Sequence, residues 1–69
     1  MKFSPLKLKI KRESQGLTHL DLAFQATRNG TRITPQTLMN WEAGRTKPFA
    51  RLLTKVAQAL GCDPSEFYE

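Results

Sequence analysis

The sequence predicts an all-α fold, a compact bundle of four to five short helices, and three features indicate it. Apolar residues recur three and four positions apart along most of the chain, as in amphipathic helices. Thr, Pro and Gly interrupt this pattern at short intervals, as they do at helix ends. No second strand is visible with which a strand-like segment could pair. We expect the 69 residues to form one domain, 1–69, with a thin core.

The first predicted helix covers residues 5–14, and its pattern is ambiguous. Leu6, Leu8 and Ile10 alternate with lysines, which is the period of a strand. A helix is favoured because Pro5 suits a first helical position and because leucine and lysine are good helix formers.

The second helix has a clear start. Thr18 can cap it, and Asp21 follows three residues later, as in a capping box. Gly30 is available to end the helix. The residues that follow the cap at helical spacing are Leu20, Ala23, Phe24 and Thr27.

The third helix starts in the same way, with Thr34 as its cap and Pro35 at its first position, and it ends before Gly44. Leu38 and Trp41 share one face, which we expect to be buried in the core. The other face, which we expect to point outward, carries Gln36, Met39, Asn40 and Ala43.

The fourth helix is predicted over residues 49–60, and Gly61 closes it. Its apolar stripe comprises positions 49, 52, 53, 56, 57 and 60. Asp63 and Pro64 then open a final turn that carries Phe67 and Tyr68. We expect these two aromatic residues to seal the core or to form a dimer contact.

The composition excludes several classes of protein. The single cysteine, Cys62, allows no internal disulfide, and it has no neighbouring Cys or His with which to form a zinc site, so we treat it as a core residue. No apolar run approaches the roughly 20 residues that a membrane span needs. The lysine-rich start lacks the apolar region of a signal peptide. We therefore expect a cytoplasmic protein without a targeting segment, a membrane association, a metal or a cofactor.

The net charge is +5, and the positive charge is unevenly distributed. Residues 1–62 contain eleven Lys and Arg against three Asp and Glu, which gives 11 − 3 = +8. Such an excess is typical of a domain that binds a polyanion. Lysines that only keep a small protein soluble would explain it equally well.

The arrangement of the second helix, a polar connection and the third helix is typical of a helix-turn-helix. The spacing of the surrounding residues resembles the Cro and phage-repressor family of helix-turn-helix regulators, also called the xenobiotic-response-element family, over residues 6–68. The residues that carry this resemblance are Gly16-Leu17-Thr18, Leu22-Ala23, Ile33-Thr34, Thr37-Leu38, Trp41-Glu42, Gly44, Pro48, Val56-Ala57 and Ala59-Leu60-Gly61.

The resemblance implies a lambda-repressor-like fold and a role for each matching residue. Arg12 and Glu42 match the internal salt bridge of the family, which ties the first helix to the end of the third. The residues expected to contact DNA bases are Pro35, Gln36, Met39 and Asn40. The residues expected to contact phosphates are His19, Arg28, Arg32, Thr34, Arg45, Lys47 and Arg51. Amide side chains suit adenine, and Met39 suits the methyl group of thymine.

The connection between the second and third helices departs from the family pattern. Nine residues, from Phe24 to Arg32, separate Leu22-Ala23 from Ile33-Thr34, where the family commonly has about four. Two interpretations remain open. Either the second helix runs a turn longer, or a loop that carries Arg28 and Arg32 bulges toward the phosphates.

Two functional hypotheses follow. The first is a transcriptional regulator, not an enzyme, that binds double-stranded DNA as a homodimer and acts as a repressor. The second is an antitoxin-like or other protein-interaction module whose partner binds the acidic, aromatic end at residues 66–69. RNA binding has little support because no exposed aromatic platform is evident. The simpler alternative for Gln36 and Asn40 is that they are ordinary solvated residues.

Overall fold

The computed structural model describes residues 2–27 and 32–69. Its helices are α1 (Pro5–Ser14), α2 (His19–Ala26), α3 (Pro35–Glu42), α4 (Ala50–Leu60) and a C-terminal 3-10 helix (Pro64–Phe67). Within the described ranges, β structure is limited to one isolated bridge between Phe3 and Tyr68. The predicted all-α class is therefore confirmed, and the described ranges contain four α-helices and one 3-10 helix, in line with the predicted four to five.

Side-chain caps fix where most helices begin. The hydroxyl oxygens of Ser4, Thr18 and Thr34 accept backbone N–H groups in the first turns of α1, α2 and α3. At α2 the capping is reciprocal, since the Asp21 N–H donates to Thr18 Oγ1 at 3.0 Å and the Thr18 N–H donates to Asp21 Oδ2 at 3.1 Å. This is the predicted capping box. Asp63 caps the 3-10 helix in the same manner.

The structure resolves the ambiguity of α1 in favour of a helix. Of its three alternating apolar residues only Leu8 is buried, whereas Leu6 and Ile10 are 63% and 56% exposed. The second buried residue of α1 is Arg12, one helical turn after Leu8. The alternation that imitates a strand therefore arises because two apolar residues face solvent.

The core is one cluster to which every helix contributes. Helix α2 contacts both α3 and α4, and α1 contacts α3 and the 3-10 helix. Trp41 is 3% exposed and belongs to this core, as predicted. The cluster comprises Leu8, Leu22, Ala23, Ala26, Ile33, Leu38, Trp41, Leu53, Val56, Ala57, Leu60 and Phe67.

The two ends of the chain lie against each other. The Ser4 N–H donates to the Phe67 carbonyl at 2.7 Å, and the Glu69 N–H donates to the Lys2 carbonyl at 2.8 Å. The Phe3 and Tyr68 rings meet edge to face with their centroids 6.3 Å apart. Phe67 is 1% exposed, so it seals the core, which was one of the two roles expected for it.

Two sequence expectations about the helices need correction. Helix α4 begins at Ala50, and Phe49 is its N-cap residue, 75% exposed and outside the buried stripe. The buried residues of α2 are Leu22, Ala23 and Ala26. Leu20 and Phe24, which share a helical spacing with Ala23, are exposed instead.

Helix α2 ends at Ala26 and does not run a further turn. Gly30, the residue expected to end it, lies outside the described residues, as does Arg28. The Thr27 hydroxyl lies 2.6 Å from the Ala23 carbonyl oxygen and 3.0 Å from that of Ile33, and it accepts the Ile33 N–H at 3.3 Å. One side chain thus holds together the two ends of the long connection. No helix in the described ranges is long and apolar enough to cross a membrane.

Candidate nucleic-acid interface

Helix α3 has one buried and one exposed face. Leu38 and Trp41 are 0% and 3% exposed and anchor the helix in the core. On the outer side Gln36 and Met39 are exposed and Asn40 is half-buried. Gln36 Nε2 donates to Asn40 Oδ1 at 3.1 Å, which aligns the two amides in one row along the helix.

The start of α3 offers fewer free polar groups than its middle. The Thr34 hydroxyl accepts the Thr37 N–H at 3.2 Å and lies 3.0 Å from the Thr37 hydroxyl. Pro35 is half-buried and has no N–H to donate. Of the four residues expected to contact bases, Gln36 and Asn40 therefore carry the hydrogen-bonding groups.

Basic residues precede and follow α3 in the chain. Arg32 lies just before the helix, Arg45 and Lys47 lie in the turn after it, and Arg51 lies in the first turn of α4. All four side chains are exposed, and none forms an ion pair with another residue that the structure describes. Cationic groups without an internal partner are available to an external anion such as phosphate.

A buried ion pair fixes the end of α3. Arg12 Nε donates to Glu42 Oε2 at 2.8 Å, and Arg12 Nη2 donates to Glu42 Oε1 at 3.0 Å. Both side chains are less than one-tenth exposed. Hydrogen bonding to Glu42 raises the pKa of Arg12, and Arg12 Nη1 also donates to the Leu17 carbonyl at 2.7 Å. The pair therefore joins α1, the start of α2 and the end of α3.

His19 takes part in the same network. Its Nε2 lies 3.1 Å from Glu42 Oε1, so this side chain already has a partner within the fold. No local sequence pattern indicates that contact. His19 lies in the first turn of α2, where the resemblance implies a phosphate contact. Because Nε2 is engaged with Glu42, a phosphate contact by His19 stays a prediction.

The described residues contain no group of three His, Cys, Asp or Glu side chains that could hold a metal ion. Cys62 is half-buried, and burial raises the pKa of its thiol. A thiol with a raised pKa remains protonated and unreactive near neutral pH.

Comparison with known proteins places this arrangement in a family. The helix-turn-helix family profile matches residues 8–67. The structure is similar to the P22 c2 repressor in complex with a synthetic operator, with a TM-score of 0.82, 16% identity, and coverage of 100% of this chain and 97% of that chain. No curated protein sequence matches the chain.

The chain is also similar to part of an enzyme, hydroxypropylphosphonic acid epoxidase from S. wedmorenis. The TM-score is 0.77 at 26% identity, covering 94% of this chain but 32% of the epoxidase chain. The same enzyme in complex with fosfomycin gives a TM-score of 0.79 at 25% identity, with 36% of its chain covered. The similarity to the enzyme is thus limited to about a third of its length. With the family profile extending over nearly all its residues, this chain belongs to the helix-turn-helix family of the Cro and phage-repressor type.

Proposed function

We propose that residues 1–69 act as one DNA-binding domain of a sequence-specific transcriptional regulator and that α3 enters the major groove. One observation carries this proposal: Gln36, Met39 and the half-buried Asn40 form the outer row of a helix whose other face is fixed in the core. The major groove of B-DNA admits an α-helix, and side chains on such a face reach the base edges. The P22 c2 repressor, whose fold is similar, was crystallised in complex with an operator, which supports DNA as the ligand in this proposal.

The two amides suit adenine. An amide presents one donor group and one acceptor, which match N7 and N6 of that base. The bond between Gln36 and Asn40 uses one hydrogen of Gln36 and one lone pair of Asn40. Asn40 keeps both N–H hydrogens and a second lone pair, while Gln36 keeps one N–H hydrogen and its carbonyl oxygen. Met39, between them in the sequence, is placed to contact a thymine methyl group, and Pro35 contributes shape only.

Phosphate contacts fix the orientation of such a domain on DNA without specifying sequence. In this proposal the exposed Arg32, Arg45, Lys47 and Arg51 make them, and Arg28 adds another. Thr34 and His19 already have hydrogen-bond partners within the fold, so we expect them to contribute less.

One recognition helix contacts too few base pairs to be selective, so we propose a homodimer that binds a pseudo-palindromic site and represses transcription. We propose that such a protein acts in the cytoplasm. We assign no catalytic role and no cofactor. The enzyme with a similar segment is about three times as long as this chain.

The alternative of a protein partner at the C-terminal end receives little support from the contacts there. Phe67 is buried, Tyr68 packs on Phe3, and Glu66 lies 3.3 Å from Lys11. The aromatic groups that made this end attractive for docking therefore serve the fold.

Selection of bound sequences from a random DNA pool tests the proposal. We expect one enriched motif with two symmetric half-sites. Asn40→Ala should weaken binding to the selected site by about 1–3 kcal/mol and leave binding to random DNA almost unchanged. The matched control is Gln58→Ala, which removes an exposed amide from α4. It should change neither binding to the selected site nor binding to random DNA. Equal losses on selected and random DNA would show that Asn40 does not contact bases.

A further inference from the structure

An open apolar groove of about 540 Å³ lies between the outer face of α2 and the start of α3. Leu20 and Phe24 form its walls and are 67% and 76% exposed. Ala23 and Ile33 form its buried floor. Arg32, Thr34 and Pro35 also line it.

The proposed DNA contacts do not account for the apolar walls of this groove. Phosphate and sugar are bound by basic and polar side chains and by backbone N–H groups. Phe24 is instead the most exposed large apolar residue in the described ranges. A cluster of exposed apolar side chains marks a surface at which another molecule binds.

The shape of the groove favours a helix over a small molecule. Pockets for small molecules bury about 70–90% of the ligand surface, whereas the two walls here are mostly exposed. Leu20 and Phe24 are four residues apart and form a short apolar ridge on α2. An amphipathic helix with apolar residues one turn apart packs against such a ridge.

The charge of the groove favours an occupant that carries acidic residues. Arg32 lines the groove, and residues 1–62 carry an excess of eight positive charges, 11 − 3. The C-terminal acidic end of the same chain is held by Phe3 and Lys2. We propose that the groove binds an amphipathic, acidic helix of another protein, whose carboxylate pairs with Arg32.

The position of the groove gives this contact a regulatory consequence, which rests on the proposed function. Arg32, Thr34 and Pro35 line the groove and are also expected to contact DNA. The acidic helix and DNA would therefore compete for the same end of α3. Binding of the partner releases DNA.

The first experiment tests the groove without DNA. The probe is a displayed pool of helical peptides with a fixed pair of leucines one turn apart and flanking positions randomised among Glu, Lys and Ser. We expect enrichment of Glu, and binding to Phe24→Ser at least about tenfold weaker than to the unchanged protein. Ile10→Ser is the matched control, since Ile10 is 56% exposed on α1 and should retain full binding. Circular dichroism checks that both variants remain folded.

Several outcomes would overturn the inference. One is a peptide pool that shows no enrichment, and another is enrichment of Lys or Ser at the flanking positions. A third is equal capture of the peptides by Phe24→Ser and by the unchanged protein. Concentration-dependent dimerisation that Phe24→Ser abolishes would assign the groove to a second copy of the chain.

A second experiment adds the enriched peptide to the protein bound to its selected DNA. We expect displacement of DNA from the unchanged protein and from Ile10→Ser, but not from Phe24→Ser. Simultaneous binding of peptide and DNA would refute the competition. Failure to select any DNA would refute the proposed function alone, because the peptide experiment does not depend on it.

Discussion

Glu42 ends α3, and its buried carboxylate accepts hydrogen bonds from Arg12 and lies beside His19. Glu42→Ala leaves the Arg12 guanidinium, 7% exposed, without its counter-charge. Removing one partner of a buried pair costs about 3–5 kcal/mol. We expect a loss of this order in the free energy of unfolding, measured by urea denaturation. Domains are stable by only about 5–15 kcal/mol, so such a loss would remove a large share of the stability of the fold.

Glu13→Ala is the control, because Glu13 also lies near Arg12, at 3.8 Å, but its side chain is 55% exposed. An exposed ion pair contributes about 0–1 kcal/mol. Equal losses in the free energy of unfolding would mean that proximity to Arg12, rather than burial of the pair, determines the loss. The explanation given for Glu42 would then fail.

Some of these residue roles could be predicted from the sequence and others could not. Arg12 and Glu42 were identified because the family spacing marks both positions, and the structure contains their ion pair. His19 is different, since its contact with Glu42 depends on the angle between α2 and α3. The exposure of Phe24 was also missed, because a helical period gives the spacing of a stripe but not which side of it meets the core.

At the level of helices, the N-caps are the features that the sequence predicted best, and they allow a matched test. Thr18→Ala removes the hydroxyl oxygen that accepts the Asp21 N–H, so we expect a loss of about 1 kcal/mol in the free energy of unfolding. Thr54→Ala is the control. The Thr54 hydroxyl donates to the Ala50 carbonyl within α4, and its loss should change stability by less than about 0.5 kcal/mol. Equal losses would mean that the cap is not what stabilises the start of α2.

The same capping box predicts a dependence on pH. The Thr18 N–H lowers the pKa of Asp21 by donating a hydrogen bond to its carboxylate. Because the pKa is lower in the folded state, the unfolded state binds protons more readily on acidification. The stabilisation is therefore complete above the ordinary pKa of about 3.9 and is lost as the pH falls through the lower folded value.

Melting temperatures of the unchanged protein and of Asp21→Asn, measured from about pH 6 to about pH 2.5, test this. The difference in melting temperature between the two proteins should be largest at about pH 6 and should shrink as the pH falls. If the difference for Asp21→Asn grew on acidification instead, folding would raise the pKa of Asp21 rather than lower it.

The sequence predicted the starts of the helices correctly where a polar cap is present. At the start of α4, where no such cap is present, the predicted and observed boundaries differ. Helix α4 begins one residue later than its apolar pattern predicts, because Phe49 has no side-chain acceptor and points to solvent as the N-cap residue. For α2 the family pattern left the end open. The structure ends it at Ala26, where the Thr27 hydroxyl bonds across to Ile33, a contact that no local pattern predicts.

For the molecule as a whole, the lengthened connection is compatible with the repressor fold. The TM-score to the P22 c2 repressor is 0.82, although its identity to this chain is only 16%. The Thr27 hydroxyl explains how, since it joins the residue after α2 to Ile33, whose side chain lies in the core. The packing of α2 on α3 is thus set on both sides of the inserted residues.

The charge distribution of the whole molecule gives a final prediction about the salt dependence of DNA binding. Each phosphate neutralised by a base releases counterions, so the logarithm of the binding constant falls with the logarithm of salt concentration by about 0.9 per contact. The five bases that we propose to contact phosphate predict a slope of about −4.5 for each protomer (5 × 0.9), and they are Arg28, Arg32, Arg45, Lys47 and Arg51. Arg45→Ala should reduce that slope by about 1.

Lys9→Ala removes the same charge from an exposed position on α1, where no DNA contact is expected. It should leave the slope unchanged, because counterion release counts only bases in contact with phosphate. Binding of both variants to one selected DNA site, measured by fluorescence anisotropy over a series of salt concentrations, separates a local contact from a general effect of net charge. Equal slopes for the two variants would mean that the whole positive surface, rather than the ends of α3, attracts DNA.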